Sequence, residues 1–203
     1  NKKSSIPVIK HLDGICHIFV EKEADLKKAK EIIYNSKMRR PGICGAVETL
    51  LIDRALLDQV GYFLQPLVDA KCEIRGDKDI CNIDPKFKKA NEEDWSTEYL
   101  APIVSVKSVS SINEAIDHIR NFGTGHTESI ISENKDNQIR FTNSIDSAIV
   151  MINASTQFAD GGEFGLGGEI GIATGKFHAR GPVGINQLTS FKYIVRGDGH
   201  IRA

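Results

Sequence analysis

What this sequence lacks narrows it first. No run in it approaches the roughly 20 consecutive apolar residues that cross a bilayer. The opening residues, NKKSSIPVIKHLDG, carry basic side chains with no apolar segment behind them, so they do not read as a secretory signal. Neither sign of charge dominates: 26 Lys and Arg stand against 27 Asp and Glu, for a net charge of −1. That balance offers no basic footprint for nucleic acid or an anionic membrane. Cysteine is scarce and scattered, and Cys16, Cys44, Cys72 and Cys81 form no C-x-x-C pair. A chain of 203 residues with 40% hydrophobic content buries a core without disulfide staples, so reduced thiols in a cytoplasmic protein are expected. H-E-x-x-H, G-x-S-x-G and a Walker lysine are also missing, which sets aside the zinc peptidase, the nucleophile-elbow hydrolase and the P-loop enzyme.

What is present, from about residue 15 to 153, is alternation of strand-like and helix-like segments. Residues 15–20 (ICHIFV) read as a strand, and 23–35 as a helix with Ala24, Leu26, Ala29, Ile32 and Ile33 on one stripe. Strand 47–52 precedes a helix predicted over 54–70, capped by Asp53 and kinked or shortened by Pro66. Further strands are expected at 72–74, 102–106, 128–132 and 147–152, with helices at 111–122 and 134–143. Ser111 and Glu114 match a capping box. Residues 75–98 read mostly as loop. The pattern implies an α/β domain on a mostly parallel sheet, with ligands expected at the carboxyl ends of its strands. After Asn153 the character changes: residues 160–171 are glycine-rich, and LTSFKYIVR near the end is strand-like with no helix beside it. That stretch reads as an arm that pairs elsewhere, on another subunit.

Several residues could carry chemistry. Cys44 sits in RRPGICGAVETLLI, between two glycines and downstream of Arg39 and Arg40. A thiol attacks only as thiolate, so a nucleophile here needs a lowered pKa, which those arginines could supply. A buried loop cysteine is the alternative, and local pattern leaves both open. The glycine run approximates G-x-G-x-x-G but lacks the strand–turn–helix frame of a dinucleotide site; sharp turns or close backbone approach fit it better. Ala154, Ser155 and Thr156 follow the last strand, as a ligand loop or as a turn cap. His126, in GHTES, is either structural or facing a ligand. Glu98, in STEYLAPIV, either accepts sugar hydroxyls or is merely solvated.

Together, RRPGICGAVETLLI, TGHTESII, NASTQFADGGEFGLGGEIG and HARGPVGINQLTSFKYIVRG strongly resemble the γ-glutamyl phosphate reductases, of the aldehyde dehydrogenase superfamily. The likeness runs in order over nearly the whole chain. It implies an aldehyde-dehydrogenase-like α/β catalytic domain with a C-terminal strand arm. The implied activity is NADPH-dependent reduction of L-glutamyl 5-phosphate to glutamate 5-semialdehyde in proline biosynthesis, through a thioacyl intermediate. On that resemblance Cys44 is the nucleophile, Glu98 binds the nicotinamide ribose, and Ala154, Ser155 and Thr156 anchor the amino-acid end of the substrate. Arg39, Arg40 and His126 are candidates for the phosphate.

Two departures matter. The segment KHLDG places His11 where oxidising relatives keep a general-base glutamate, which suits an acyl group that leaves by hydride or phosphate and not by water. The family's NADPH-binding half has no counterpart here. Residues 1–14 are therefore expected to be the end of that domain or a linker, 15–165 the catalytic domain and 166–203 an oligomerising arm of a homo-oligomer. A fragment that only folds and dimerises is the rival reading, and a thiol enzyme pairing Cys44 with His126 or His178 a weaker one.

Overall fold

The computed structural model describes residues 3–203, so the first two residues of the expected linker lie outside it. Seven strands form one sheet in which every paired neighbour runs parallel. In chain order these are β1 (Cys16–Val20), β2 (Val47–Asp53), β3 (Glu73–Gly76), β4 (Lys88–Lys89), β5 (Ile103–Val109), β6 (Thr127–Ile131) and β7 (Ile149–Ile152). Their order across the sheet is β4-β3-β5-β2-β1-β6-β7. Parallel neighbours need crossovers, and helices α1 (Leu26–Met38), α2 (Val60–Asp69), α3 (Lys78–Cys81), α4 (Ile112–Phe122) and α5 (Lys135–Ser144) provide them.

The central strands are buried on both faces, and their alternation divides the core in two. Ile18, Val20, Leu50 and Ile52 face Ala29 and Ile33 of α1 and Phe63, Leu64 and Leu67 of α2. Phe19 and Leu51 face Ile112, Ala115, Ile116 and Ile119 of α4 and Phe141 of α5. A one-residue slip of β1 would exchange these sets, so the two apolar faces hold the register. Each fully buried Val, Leu, Ile or Phe among them contributes about 1.5–3 kcal/mol.

The element boundaries depart from the sequence reading in places with physical causes. The expected helix over 54–70 begins as a 3-10 segment, Arg54–Gln59, with Asp53 Oδ1 accepting from Ala55 N at 3.0 Å. Pro66 lies inside α2, where its missing N–H cannot reach the Tyr62 carbonyl, and the helix ends three residues later at Asp69. Half of the capping box forms: Ser111 Oγ accepts from Glu114 N, but the Glu114 carboxylate turns to Ser110 N and Oγ at 2.7 and 2.6 Å. The stretch 75–98, read mostly as loop, holds α3, β4 and a 3-10 turn at Glu92–Ser96 capped by Asn91.

Beyond the sheet, β8 (Gly171–Ala173) and β9 (Gly181–Val183) make an antiparallel pair, followed by α6 (Ile185–Leu188). Residues 189–196 then run without a strand partner, leaving Phe191, Tyr193, Ile194 and Val195 exposed. Within the glycine run, Gly165 and Gly167 have left-handed φ of 73° and 82°, and a Cβ on Gly184 would sit 2.5 Å from the Gly168 carbonyl oxygen. Turns and close approach thus account for these glycines. No helix among the described residues is long and apolar enough to cross a membrane.

Candidate active site

Cys44 lies just before β2, at the amino edge of the sheet. Its turn is closed by Ala46 N donating to the Ile43 carbonyl at 2.9 Å. The turn packs against Gly14 so tightly that a Cβ there would stand 2.3 Å from the Cys44 carbonyl oxygen and 2.8 Å from its Cα. That same carbonyl accepts from Cys16 Sγ at 3.1 Å. On the other side, the Thr156 carbonyl oxygen would be 3.3 Å from a Cβ on Gly45. Cys44 itself is half-buried, and all four cysteines are free thiols.

Glu98 comes to this edge from the loop before β5. Gly14 N donates to its Oε1 at 2.9 Å, and its second oxygen accepts no hydrogen bond among the described residues. Under the same loop, Lys37 Nζ meets Glu48 Oε2 at 2.5 Å, both side chains fully buried. Glu48 Oε1 accepts from Leu100 N at 3.4 Å, holding a residue whose φ of 51° is left-handed. Burial pushes the Glu48 carboxyl up to about 7 even with Lys37 beside it.

Two histidines join the thiol. His11 Nδ1 donates to the Ile172 carbonyl at 2.8 Å; since a carbonyl only accepts, this fixes the tautomer and leaves Nε2 as the lone pair of the neutral ring. His126, fully buried just before β6, has Nδ1 2.9 Å from Thr127 Oγ1 and 3.6 Å from Cys16 Sγ, while its Nε2 has no partner. Burial, with a smaller contribution from His11, lowers His126 to about 4, so it is neutral at ordinary pH. One donor atom each from His11, Cys44 and His126 lies within 4.8 Å of the other two.

The field at Cys44 differs from the sequence expectation. Burial raises the thiol, and the charges of Glu169 and Glu98 raise it further, against weaker help from the backbone N–H groups of Cys44 and Gly45. Arg39 and Arg40 are exposed and do not figure among the charges acting on the thiol. Arg39 reaches Gln157 Oε1 at 3.5 Å, and the Arg40 carbonyl accepts from Gln157 Nε2 at 3.4 Å. Glu169, anchored by Gly161 N at 2.9 Å, is a site residue that sequence reasoning missed. Its only signal is a carboxylate set among glycines.

The loop after β7 does not stop at the carboxyl end of the sheet. It runs back to Ser36 and Gly45, so the site forms at the amino ends of β1, β2, β5 and β6 and not at the carboxyl ends expected from the fold class. Ala154 gives its carbonyl to Ser129 Oγ at 2.8 Å. Ser155 Oγ accepts from Ser36 Oγ and from Gln157 N, whereas the buried Thr156 Oγ1 has no partner. His178 takes no place in the thiol cluster.

Residues 82–194 match the model of the aldehyde dehydrogenase family, more than half of the chain. The chain belongs to that family. Gamma-glutamyl phosphate reductases of Nitrobacter winogradskyi and Brucella anthropi are 54% and 57% identical to it over 201 residues, covering 98% of the chain and 47% of each relative. The crystal structure of gamma-glutamyl phosphate reductase from Thermotoga maritima superposes with a TM-score of 0.92 at 45% identity, over 100% of this chain and 49% of that one. An acetylating aldehyde dehydrogenase from Geobacillus thermoglucosidasius shares the fold at a TM-score of 0.72 and 19% identity. The chain therefore spans about half the length of the curated relatives it matches. The sheet and helices described above are those of an aldehyde-dehydrogenase-like domain.

Proposed function

We propose that this chain supplies the thiol-bearing half of an NADPH-dependent enzyme that reduces L-glutamyl 5-phosphate to L-glutamate 5-semialdehyde and phosphate, in proline biosynthesis. The observation that carries the reading is Cys44, half-buried in a glycine-bounded turn, with His11 of the neighbouring KHLDG segment contributing a ring nitrogen to its cluster. The names and high identity of the relatives support it.

The residues take these roles. His11 Nε2 accepts the Cys44 proton once the thiol turns toward it, within the 4.8 Å cluster. The thiolate attacks the acyl carbon, and the backbone N–H groups of Cys44 and Gly45 face the developing oxyanion. The carbon–oxygen bond to phosphate breaks, leaving a thioacyl group on Cys44 and free phosphate. His126, neutral through burial, offers Nε2–H to a phosphate oxygen, and Arg40, exposed nearby, adds positive charge. Thr156 Oγ1, buried without a partner, and the Ala154–Ser155 backbone beside it receive the amino-acid end of the substrate. A reduced nicotinamide bound at this site would supply the hydride, while Cys44 holds the acyl carbon first as the thioester and then as the thiohemiacetal. Glu98 fits such a cofactor: it is half-buried, fixed by Gly14 N, and keeps a carboxylate oxygen open to ribose hydroxyls. Collapse of the thiohemiacetal breaks the carbon–sulfur bond, releases the aldehyde and returns the proton from His11 to Cys44.

Residues 166–203 are proposed as an arm that pairs with a second copy, supported by the exposed Phe191, Tyr193, Ile194 and Val195. The same exposure favours the rival reading, in which this half on its own only folds and dimerises. Four free thiols suit a reducing, cytoplasmic compartment. The test is NADPH oxidation dependent on L-glutamyl 5-phosphate in the full-length protein. Cys44→Ala should abolish it, and turnover persisting in that variant would overturn the reading.

A further inference from the structure

The cluster at Cys44 has the composition of a metal site as well as of a thiol site. Its three donors lie within 4.8 Å of one another and come from three separate places: the coil before β1, the turn before β2 and the residue before β6. Both imidazoles are held by their Nδ1 atoms, His11 on the Ile172 carbonyl and His126 on Thr127 Oγ1, which leaves Nε2 on each for a ligand. Metal-binding histidines nearly always have the second nitrogen secured in this way. His126 Nε2 is the independent pointer, because it is fully buried and has no hydrogen-bond partner. Thr127 Oγ1 can accept as well as donate, so His126 can pass from the tautomer with Nε2–H, which would meet a phosphate, to the one with Nδ1–H on Thr127, which leaves Nε2 as a lone pair for a metal.

We propose that His11, Cys44 and His126 bind Zn2+ through two imidazole nitrogens and one thiolate sulfur, in a three-ligand site whose occupation blocks the nucleophile. Zinc takes thiolate and imidazole ligands in tetrahedral geometry, and three protein ligands leave its fourth position to water. Zinc–sulfur bonds of about 2.3 Å and zinc–nitrogen bonds of about 2.0–2.1 Å set donors roughly 3.4–3.6 Å apart, so the cluster closes by about an ångström. Rotation of the half-buried Cys44 side chain supplies that movement. Binding forms the sulfur–zinc bond and sends the thiol proton to solvent. Oxygen-seeking Mg2+ and Ca2+ are excluded by the donor set.

The proposal concerns the thiol and not the carbon substrate, so its test does not depend on turnover. The full-length protein is titrated with Zn2+ against a chromogenic chelator, and iodoacetamide labelling of Cys44 is followed by peptide mass spectrometry. One Zn2+ per chain is expected, with Cys44 labelling slowed at least about tenfold, restored by EDTA and unmoved by Mg2+. His11→Ala should weaken binding at least about tenfold while the protein stays folded, and Cys44→Ser should abolish it. Labelling of Cys44 unchanged at saturating Zn2+, or His11→Ala binding Zn2+ as tightly as the parent, would overturn the site.

Discussion

His11 and Ile172 are joined by a 2.8 Å hydrogen bond from imidazole Nδ1 to backbone carbonyl. A second tie runs beside it, Thr174 N donating to the Lys10 carbonyl at 3.1 Å. The β8–β9 hairpin thereby sets the ring orientation of a residue far away in sequence. A general base, the role proposed for His11, contributes about 10²–10⁴-fold. His11→Ala in the full-length protein is expected to lower kcat/KM by an amount in that range at pH 7, and by less as rising pH ionises the thiol unaided. A loss of the same size at every pH would assign His11 to structure alone.

Gly14 leaves no room for a side chain, since its Cβ would fall 2.3 Å from backbone on Cys44. Gly14→Ala must push the Cys44 turn away and pull Gly14 N from Glu98, the overpacking case, with a cost of about 1–3 kcal/mol. Thermal denaturation should show a lower midpoint for G14A. A midpoint equal to the parent's would mean the two segments are not locked together.

The parallel sheet was legible because its strands are short apolar runs bounded by helical stripes, and because Asp53 and Ser111 each cap the element that follows. The site was legible only in parts. Cys44, Glu98 and His126 stand out as residue types beside turn signals, but nothing local says they meet. Arg39 and Arg40 looked like the thiol's activators because they are near in sequence, yet they are exposed at the end of α1. The charges that act on Cys44 come from Glu169 and Glu98, brought in by the turn at Gly161 and by the loop before β5. Sequence proximity misled where three-dimensional proximity decides the electrostatics.

That electrostatic arrangement is testable by thiol labelling. Cys44 is half-buried, whereas Cys16 and Cys72 are 0% and 5% exposed, with thiols likewise raised by burial. Iodoacetamide should therefore reach Cys44 before those two, but slowly at pH 7 in the ligand-free protein. Glu169→Gln removes a negative charge that raises the Cys44 thiol, so labelling at a fixed pH of 8 should quicken. A rate unchanged or slower in E169Q would contradict the assigned field.

The buried pair of Lys37 and Glu48 invites a double-mutant cycle. Removing one partner of such a pair costs about 3–5 kcal/mol, because the other charge is stranded. Lys37→Met should approach that loss at pH 8 and lose less at pH 5, where the Glu48 carboxyl, raised to about 7, takes up a proton. Adding Glu48→Gln should recover part of the stability at pH 8. Urea midpoints that show simple additivity would mean the pair is not coupled.

His118 offers a pH test away from the thiol. It packs against Trp95, Phe122 and His17. Burial first, then the charges of His17 and Lys107, lower it to about 3 from an ordinary 6.5. Above pH 6.5 it is neutral folded or unfolded and has no effect on the pH slope. Between 6.5 and about 3 the unfolded chain binds a proton that the folded chain refuses, so stability falls as pH falls. His126 acts with the same sign down to about 4, while Glu48, raised to about 7, opposes both between about 4.5 and 7. His118→Phe keeps an aromatic ring in the packed site and removes the titration. Urea midpoints measured at pH 7 and pH 5 should drop less in H118F than in the parent protein. An identical drop in both would show that His118 is not held neutral by the fold.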